Sequence, residues 1–195
     1  MALRRAIEDA AEVVEILFEV IEPSPVLLVV GGGHVGRCIG ELAAFIGMDV
    51  AILDDREDFA HPDRFPFAEK VICGDFAEEL DRFLINTNTY VVMVSRGHKV
   101  DELSLKHVVA RGAAYVGMIG SKRRTRTVLD HLREEGVDSV ALDNVFTPIG
   151  LDIGSETPEE IALSVVSEIT LVRHGGTGNP LSSAGRDLAR GTTIS

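Results

Sequence analysis

Apolar positions along the chain form two kinds of run. Val26–Val30, Tyr90–Val94 and Tyr115–Ile119 are short and carry no charge, as strands buried on both faces of a parallel sheet should be. Asp49–Leu53 and Glu69–Cys73 read as two further strands, and Asn144–Phe146 as a weaker one. Between them, apolar residues recur every three or four positions over Val35–Phe45, Phe76–Leu84, Asp101–Arg111 and a stretch running to Glu135, which predicts amphipathic helices. A last helix opens on Thr157, Pro158 and Glu160, the spacing of a capping box with proline at the first helical position. Asp75 is a candidate cap for the second of these helices, and Gly112 closes the third.

Ahead of the first strand, Leu3, Ala6, Ile7, Ala10, Val14, Leu17 and Ile21 also fall at helical spacing. Residues 1–22 therefore read as an amphipathic helix, a cover for a sheet edge or a face for a second protomer, ended by Pro23-Ser24-Pro25. The body of the chain is then one domain over residues 23–174, followed by a Gly-, Ser- and Thr-rich mobile tail over 175–195. Strands alternating with helices imply a parallel sheet whose strand C-termini share one rim.

The loops on that rim carry the candidate chemistry. Val30 runs straight into Gly31-Gly-Gly-His-Val-Gly36, where glycines 31, 33 and 36 match GxGxxG: a tight turn, a close approach to a phosphate, and a close helix–strand contact. Asp54 ends the next strand, 23 positions after Gly31, where a dinucleotide fold holds a ribose diol, and Arg56 follows where a 2′-phosphate would be met. The pattern predicts an α/β fold, a Rossmann-like doubly wound parallel sheet with an extra N-terminal helix. Ser95-Arg96-Gly97-His98 follows a later strand, and Gly120-Ser121-Lys122-Arg123-Arg124 follows the next. Three cations at a helix start oppose the helix dipole, which points to an anionic ligand there. His34 and His98 are further candidates for ligand contact.

Composition narrows the classes. With 195 residues and 45% hydrophobic content the chain suits a single domain, and a formal net charge of −12 argues against broad nucleic-acid or anionic-membrane binding. Two cysteines, Cys38 and Cys73, form no CxxC and fit a reducing compartment, so the protein is expected to be cytoplasmic. Cys38 reads as a small core residue, whereas Cys73 at a strand end could face the rim. No HExxH, zinc ladder or GxSxG turn is present, and catalytic residues are not identifiable.

GGGHVG, DDRED, SRGHKVDELSL, YVGMIGSKRR (115–124) and PIGLDIGSETPEEIALSVVSEI (148–169) together resemble the Rossmann domain of the XdhC/CoxI family, accessory proteins of xanthine dehydrogenase and related molybdenum hydroxylases. The resemblance spans residues 26–180. It implies a non-catalytic chaperone that binds molybdenum cofactor (molybdopterin), protects it while a partner cysteine desulfurase adds sulfur, and delivers it to an apo molybdenum hydroxylase. Carried over by motif, the cofactor-binding residues would be Gly31, Gly33, His34, Gly36, Asp54, Arg56, Ser95, Arg96, Gly97, His98, Gly120, Ser121, Lys122 and Arg123, with no metal site. Longer members carry a separate N-terminal domain, while 25 residues precede Val26 here.

Two other readings stand beside it. An NAD(P)-binding oxidoreductase is disfavoured because residues 26–173 are consumed by the nucleotide fold, and neither Tyr90 nor Tyr115 has a lysine four positions on. A non-catalytic nucleotide-sensing module remains compatible with the glycine turn. A homodimer is expected, with the first helix as the candidate contact.

Overall fold

The computed structural model describes residues 3–9, 12–18, 23–95 and 97–182, with 3–9, 12–18 and His98 as backbone only. Five parallel strands form the central sheet: β3 (Val26–Val30), β4 (Asp49–Asp54), β5 (Lys70–Cys73), β6 (Thr89–Met93) and β7 (Tyr115–Met118). Their order is β5-β4-β3-β6-β7, so the direction of winding reverses between β3 and β6. Because successive strand residues face opposite sides, Leu27 and Val29 join one core layer and Leu28 and Val30 the other, all at 0% exposure. Helices α1 (His34–Phe45) and α6 (Pro158–His174) cover the first layer and pack on each other. The second layer is covered by α2 (Phe76–Arg82), α3 (His98–Val108) and α4 (Lys122–Glu134). This is the doubly wound α/β architecture that the apolar runs predict.

The N-terminal expectation is corrected. Instead of one helix over 1–22, Leu3–Asp9 and Glu12–Phe18 are strands β1 and β2, paired antiparallel from Leu3 opposite Phe18 to Asp9 opposite Glu12. Apolar residues at helical spacing also served strand pairing here: the register sets Leu3 against Phe18 and Ile7 against Val14. Ile7, Val13, Val14 and Ile16 are β-branched, which favours the extended backbone over the helix. The helical face proposed as a dimer contact therefore does not exist over these strands. Residues 1–2, 10–11 and 19–22 of that segment, and 183–195 of the expected tail, lie outside the described residues.

Two smaller differences concern the far edge of the sheet. The weak strand expected at 144–146 is reduced to a single parallel bridge between Gly117 and Phe146. A short helix, α5 (Ser139–Asp143), capped by Asp138, precedes it and takes up the chain needed for a longer strand. The capping box is present as expected: Glu160 N donates to Thr157 Oγ1 at 3.2 Å and Thr157 N to Glu160 Oε2 at 3.0 Å. Thr157→Ala should lower stability by about 1 kcal/mol, read by denaturant unfolding, with no change in ligand retention. No helix among the described residues is long and apolar enough to cross a membrane.

Candidate functional site

The glycine turn is built by close approaches. Gly31 sits at φ +119°, and a Cβ there would lie 2.8 Å from Val94 O, so the loop after β3 presses directly on the loop after β6. A Cβ on Gly36 would lie 2.0 Å from Gly31 O, which is how α1 comes to start against its own turn. Gly33 differs. It caps α1 with φ −71° and ψ −173°, an ordinary extended backbone, and a Cβ there would meet nothing within 4 Å. It is open to the rim, and His34 beside it is exposed.

Helix starts divide into two groups. Side chains cap α2 (Asp75), α4 (Ser121), α5 (Asp138) and α6 (Thr157). By contrast α1 and α3 open on Gly33 and Gly97 with no side-chain cap. A Cβ on Gly97 would also meet nothing within 4 Å. These two helices flank the β3/β6 reversal, where open α/β sheets take their ligands. Neither start carries a capping side chain of its own, Gly97 N lying 3.4 Å from Ser95 Oγ, and helix starts of this kind are suited to an anion.

Asp54 is placed at the end of β4 as expected, but its carboxylate is already engaged. Oδ2 accepts from Gly32 N and Arg56 Nη2, each at 2.8 Å, while Oδ1 accepts from Arg56 Nε at 2.7 Å and Arg56 N at 3.1 Å. Four donors fill the lone pairs of a carboxylate that is 1% exposed. Burial pushes this acid up, but the hydrogen bonds from Arg56 and Gly32 and the Arg56 charge outweigh it and hold the carboxyl below its usual range. In this geometry Asp54 locks the β4 loop to the glycine turn and has no acceptor left for a ribose hydroxyl. The side chain with unused capacity is Arg56, which stacks on Phe59 at 3.5 Å and keeps Nη1 buried without a hydrogen-bond partner. A cavity of about 290 Å³ opens beside it, lined by Asp54, Asp55, Arg56, Phe76, Ser95 and Gly97 among others.

The loops after β6 and β7 are joined through a residue that sequence reading passed over. Asp101, in the first turn of α3 and 1% exposed, accepts from Ser95 Oγ at 2.6 Å and from Arg124 Nη2 at 3.4 Å. The one available signal was an acid in the first turn of a helix that follows SRGH; its pairing with Arg124, 23 positions away, depends on how α3 and α4 pack. Ser121 caps α4 through Arg124 N, and Ser121, Lys122, Arg123 and Arg124 are all exposed. Gly120, at φ +156°, makes the turn before them. A cavity of about 440 Å³ is bounded by Ser121, Arg123 and Arg124 at one end and by Glu102 and His131 at the other.

Contacts thus run around the rim from Arg56 through Asp54, Gly32, Gly31 and the Val94–Ser95 backbone to Asp101 and Arg124. Of the expected site residues, Arg96 and the His98 side chain lie outside the described residues. The fifth loop, 147–156, is held differently. Thr147 Oγ1 donates to Met118 O at 3.1 Å, and Glu168 Oε1 receives both Gly150 N (3.1 Å) and the Tyr115 hydroxyl (2.5 Å). Burial and Glu168 push the Tyr115 phenol far up, so it stays a proton donor, with Phe146 stacked on its ring at 4.5 Å. This motif packs the loop onto β7 and α6.

The cysteines separate as their positions suggest. Cys38 is half-buried between α1 and α6; burial first, and then Glu159, push its thiol up, which suits a packing residue and not a nucleophile. Cys73 ends β5 opposite Asp54 and is exposed on the rim side of the sheet.

Comparison with known proteins places this geometry in context. The profile of the XdhC Rossmann domain matches residues 27–169. An "Uncharacterized protein YqeB" of Escherichia coli is 29% identical over 171 residues, 87% of this chain and 31% of that protein. A protein of Bacillus subtilis described as a probable xanthine dehydrogenase component is 30% identical over 153 residues, 78% of this chain and 44% of its own length. A crystal structure described as a xanthine dehydrogenase from Bacillus halodurans superposes with a TM-score of 0.70 at 26% identity, covering 84% of this chain and 46% of that one. The chain spans less than half the length of each of these relatives.

Proposed function

Because the chain belongs to the XdhC Rossmann domain family, we propose that it is an accessory protein that binds molybdenum cofactor for its maturation and insertion into a molybdenum hydroxylase of the xanthine dehydrogenase type. The observation that carries the proposal is the pair of helix starts without a capping side chain, Gly33 after β3 and Gly97 after β6, which flank the β3/β6 reversal. Molybdopterin bears a phosphate, and fixed N–H groups at a helix start receive a phosphate without reorganisation. Gly31, Gly33, His34 and Gly36 would form that cradle. Ser95 and Gly97 would form the opposite wall with Arg96 and His98. Gly120, Ser121, Lys122 and Arg123 would add positive charge at the next helix start.

The engaged state of Asp54 favours this ligand over a nicotinamide dinucleotide. A dinucleotide fold uses the strand-end acid as acceptor for ribose hydroxyls, and here every acceptor position is taken by Gly32 and Arg56. Arg56, with an unpartnered Nη1 beside the cavity, is suited instead to an anionic or carbonyl-bearing group. The partners in this reading are an apo-hydroxylase and a cysteine desulfurase. The protein handles the cofactor and does not turn it over.

Gly33→Asp tests the reading without disturbing the fold. The backbone there is unstrained, the new Cβ meets nothing, and aspartate is at least as good a helix cap as glycine. The variant should be as stable as the parent or slightly more so, while its carboxylate occupies the amides meant for phosphate. Protein from cells that make the cofactor should yield a fluorescent oxidised pterin, reduced at least roughly tenfold in Gly33→Asp, a loss of about 1.4 kcal/mol or more. Parent protein that carries no pterin, or a variant that keeps it in full, sinks the proposal. Retention of NAD(H) or NADP(H) instead would favour a nucleotide-sensing module.

A further inference from the structure

We propose that His131 and Glu135, with Glu102 orienting the imidazole, form a binding site for one divalent transition-metal ion of the zinc class, linking α3 to α4. The framework is rigid: Leu105 of α3 and Leu132 of α4 are both 0% exposed and key the two helices into the same core layer. His131 and Glu135 lie four positions apart, at the end of α4 and its cap, and so share one face. Glu102 reaches them from α3. One ligating atom from each of the three lies within 4.8 Å of the other two.

Pairwise geometry assigns the roles. His131 Nδ1 is hydrogen-bonded to Glu102 Oε1, the carboxylate–imidazole arrangement that orients a metal-binding ring and raises its basicity. Its other nitrogen, Nε2, faces Glu135 Oε1 across 3.9 Å. An ion bound to both, at about 2.0–2.2 Å from each, fits a gap of that order with modest side-chain adjustment. Neutral imidazole and carboxylate are the donors that zinc and its neighbours accept. The surroundings favour a cation: the carbonyls that end α4 carry the negative end of its dipole, and Glu134 adds a further carboxylate. Lys106, whose Nζ holds Glu135 Oε2 at 2.7 Å, is the competing positive charge.

Open coordination positions have somewhere to face. Cavities of about 440 and 400 Å³ meet at Glu102 and His131, and the first extends to Ser121, Arg123 and Arg124 on the rim. A metal here would sit at one end of a cavity whose other end is cationic. Metal uptake is independent of the cofactor reading, because it is measured on protein stripped of small molecules.

The test is titration of chelator-treated full-length protein with Co²⁺, followed by visible absorption and calorimetry, with Zn²⁺ added as competitor. One saturable equivalent, displaced by Zn²⁺, is expected. His131→Ala should abolish it, and Glu102→Gln or Glu135→Gln should weaken it by roughly 10–100-fold. His107→Ala, which removes a histidine paired with the single carboxylate Asp81 at 2.8 Å, should leave the stoichiometry intact. Lys106→Met removes the competing cation and should tighten binding, a result that a purely structural surface network would not produce. Circular dichroism of each variant checks folding. Absence of saturable uptake up to about 1 mM, or uptake that survives His131→Ala in folded protein, overturns the proposal.

Discussion

Asp54→Asn should destabilise the protein by about 3 kcal/mol, the largest effect expected of any single polar substitution here. The carboxylate is 1% exposed and receives four protein donors, two from the Arg56 guanidinium and two from backbone amides. An amide of the same shape turns an NH₂ group toward those donors and leaves Arg56 without its counter-charge. At about 2–4 °C per kcal/mol for a chain of this size, the melting temperature should drop by roughly 6–12 °C. Acid titration gives a second reading. Asp54 is held below its ordinary value in the folded state, so its contribution is complete above about pH 4 and is lost as pH falls through the folded value. The stability gap between parent and Asp54→Asn should therefore be constant near neutrality and close below about pH 4. A gap under about 1 kcal/mol at pH 7 would show that the pair behaves as an exposed one.

Gly36→Ala should be comparably damaging, about 3 kcal/mol at the upper end of overpacking costs. The added Cβ would lie 2.0 Å from Gly31 O and 3.2 Å from Val29 Cγ1, and the nearer obstacle is backbone that no rotamer change can move. Relief requires α1 to lift from β3, which carries the Gly33 amides out of the rim. Loss of bound cofactor should accompany the loss of stability. Gly33→Ala is the internal control, since its Cβ enters open space and the fold should be kept at a cost of about 1 kcal/mol or less, the loss of alanine against glycine at an N-cap. Thermal unfolding of the two variants side by side checks both expectations, and a Gly36→Ala protein within about 0.5 kcal/mol of the parent would contradict the packing described.

These two positions also show how much of the site was legible in the chain. GxGxxG reports that three glycines are needed, and the structure supplies separate reasons: Gly31 and Gly36 for close packing, Gly33 for an open helix start. Asp54 was legible as a strand-end acid, but its saturation by Gly32 and Arg56 was not, because an acid followed two residues later by arginine is equally compatible with two solvated side chains. Asp101 was missed for a similar reason. Its partners, Ser95 and Arg124, come from the loops after two different strands and meet only when α3 packs beside α4. At the N-terminus the error was one of period. Apolar residues at 3, 6, 7, 14 and 17 satisfy a helix, but the pairing of β1 with β2 sets Leu3 opposite Phe18 and Ile7 opposite Val14 equally well.

Elements whose stabilising interactions are local could be read directly from the chain: buried strands from uncharged apolar runs, α6 from its capping box, and α2 from Asp75. Their alternation was enough to imply a doubly wound sheet. Strand order, the contacts that join the loops after β4, β3, β6 and β7 along the rim, and the partners of the buried charges came from packing. The contacts that tie one loop to the next join residues distant in the chain, Gly32 to Asp54 at 22 positions and Asp101 to Arg124 at 23. Their energies depend on desolvation and on helix placement, which no local spacing encodes.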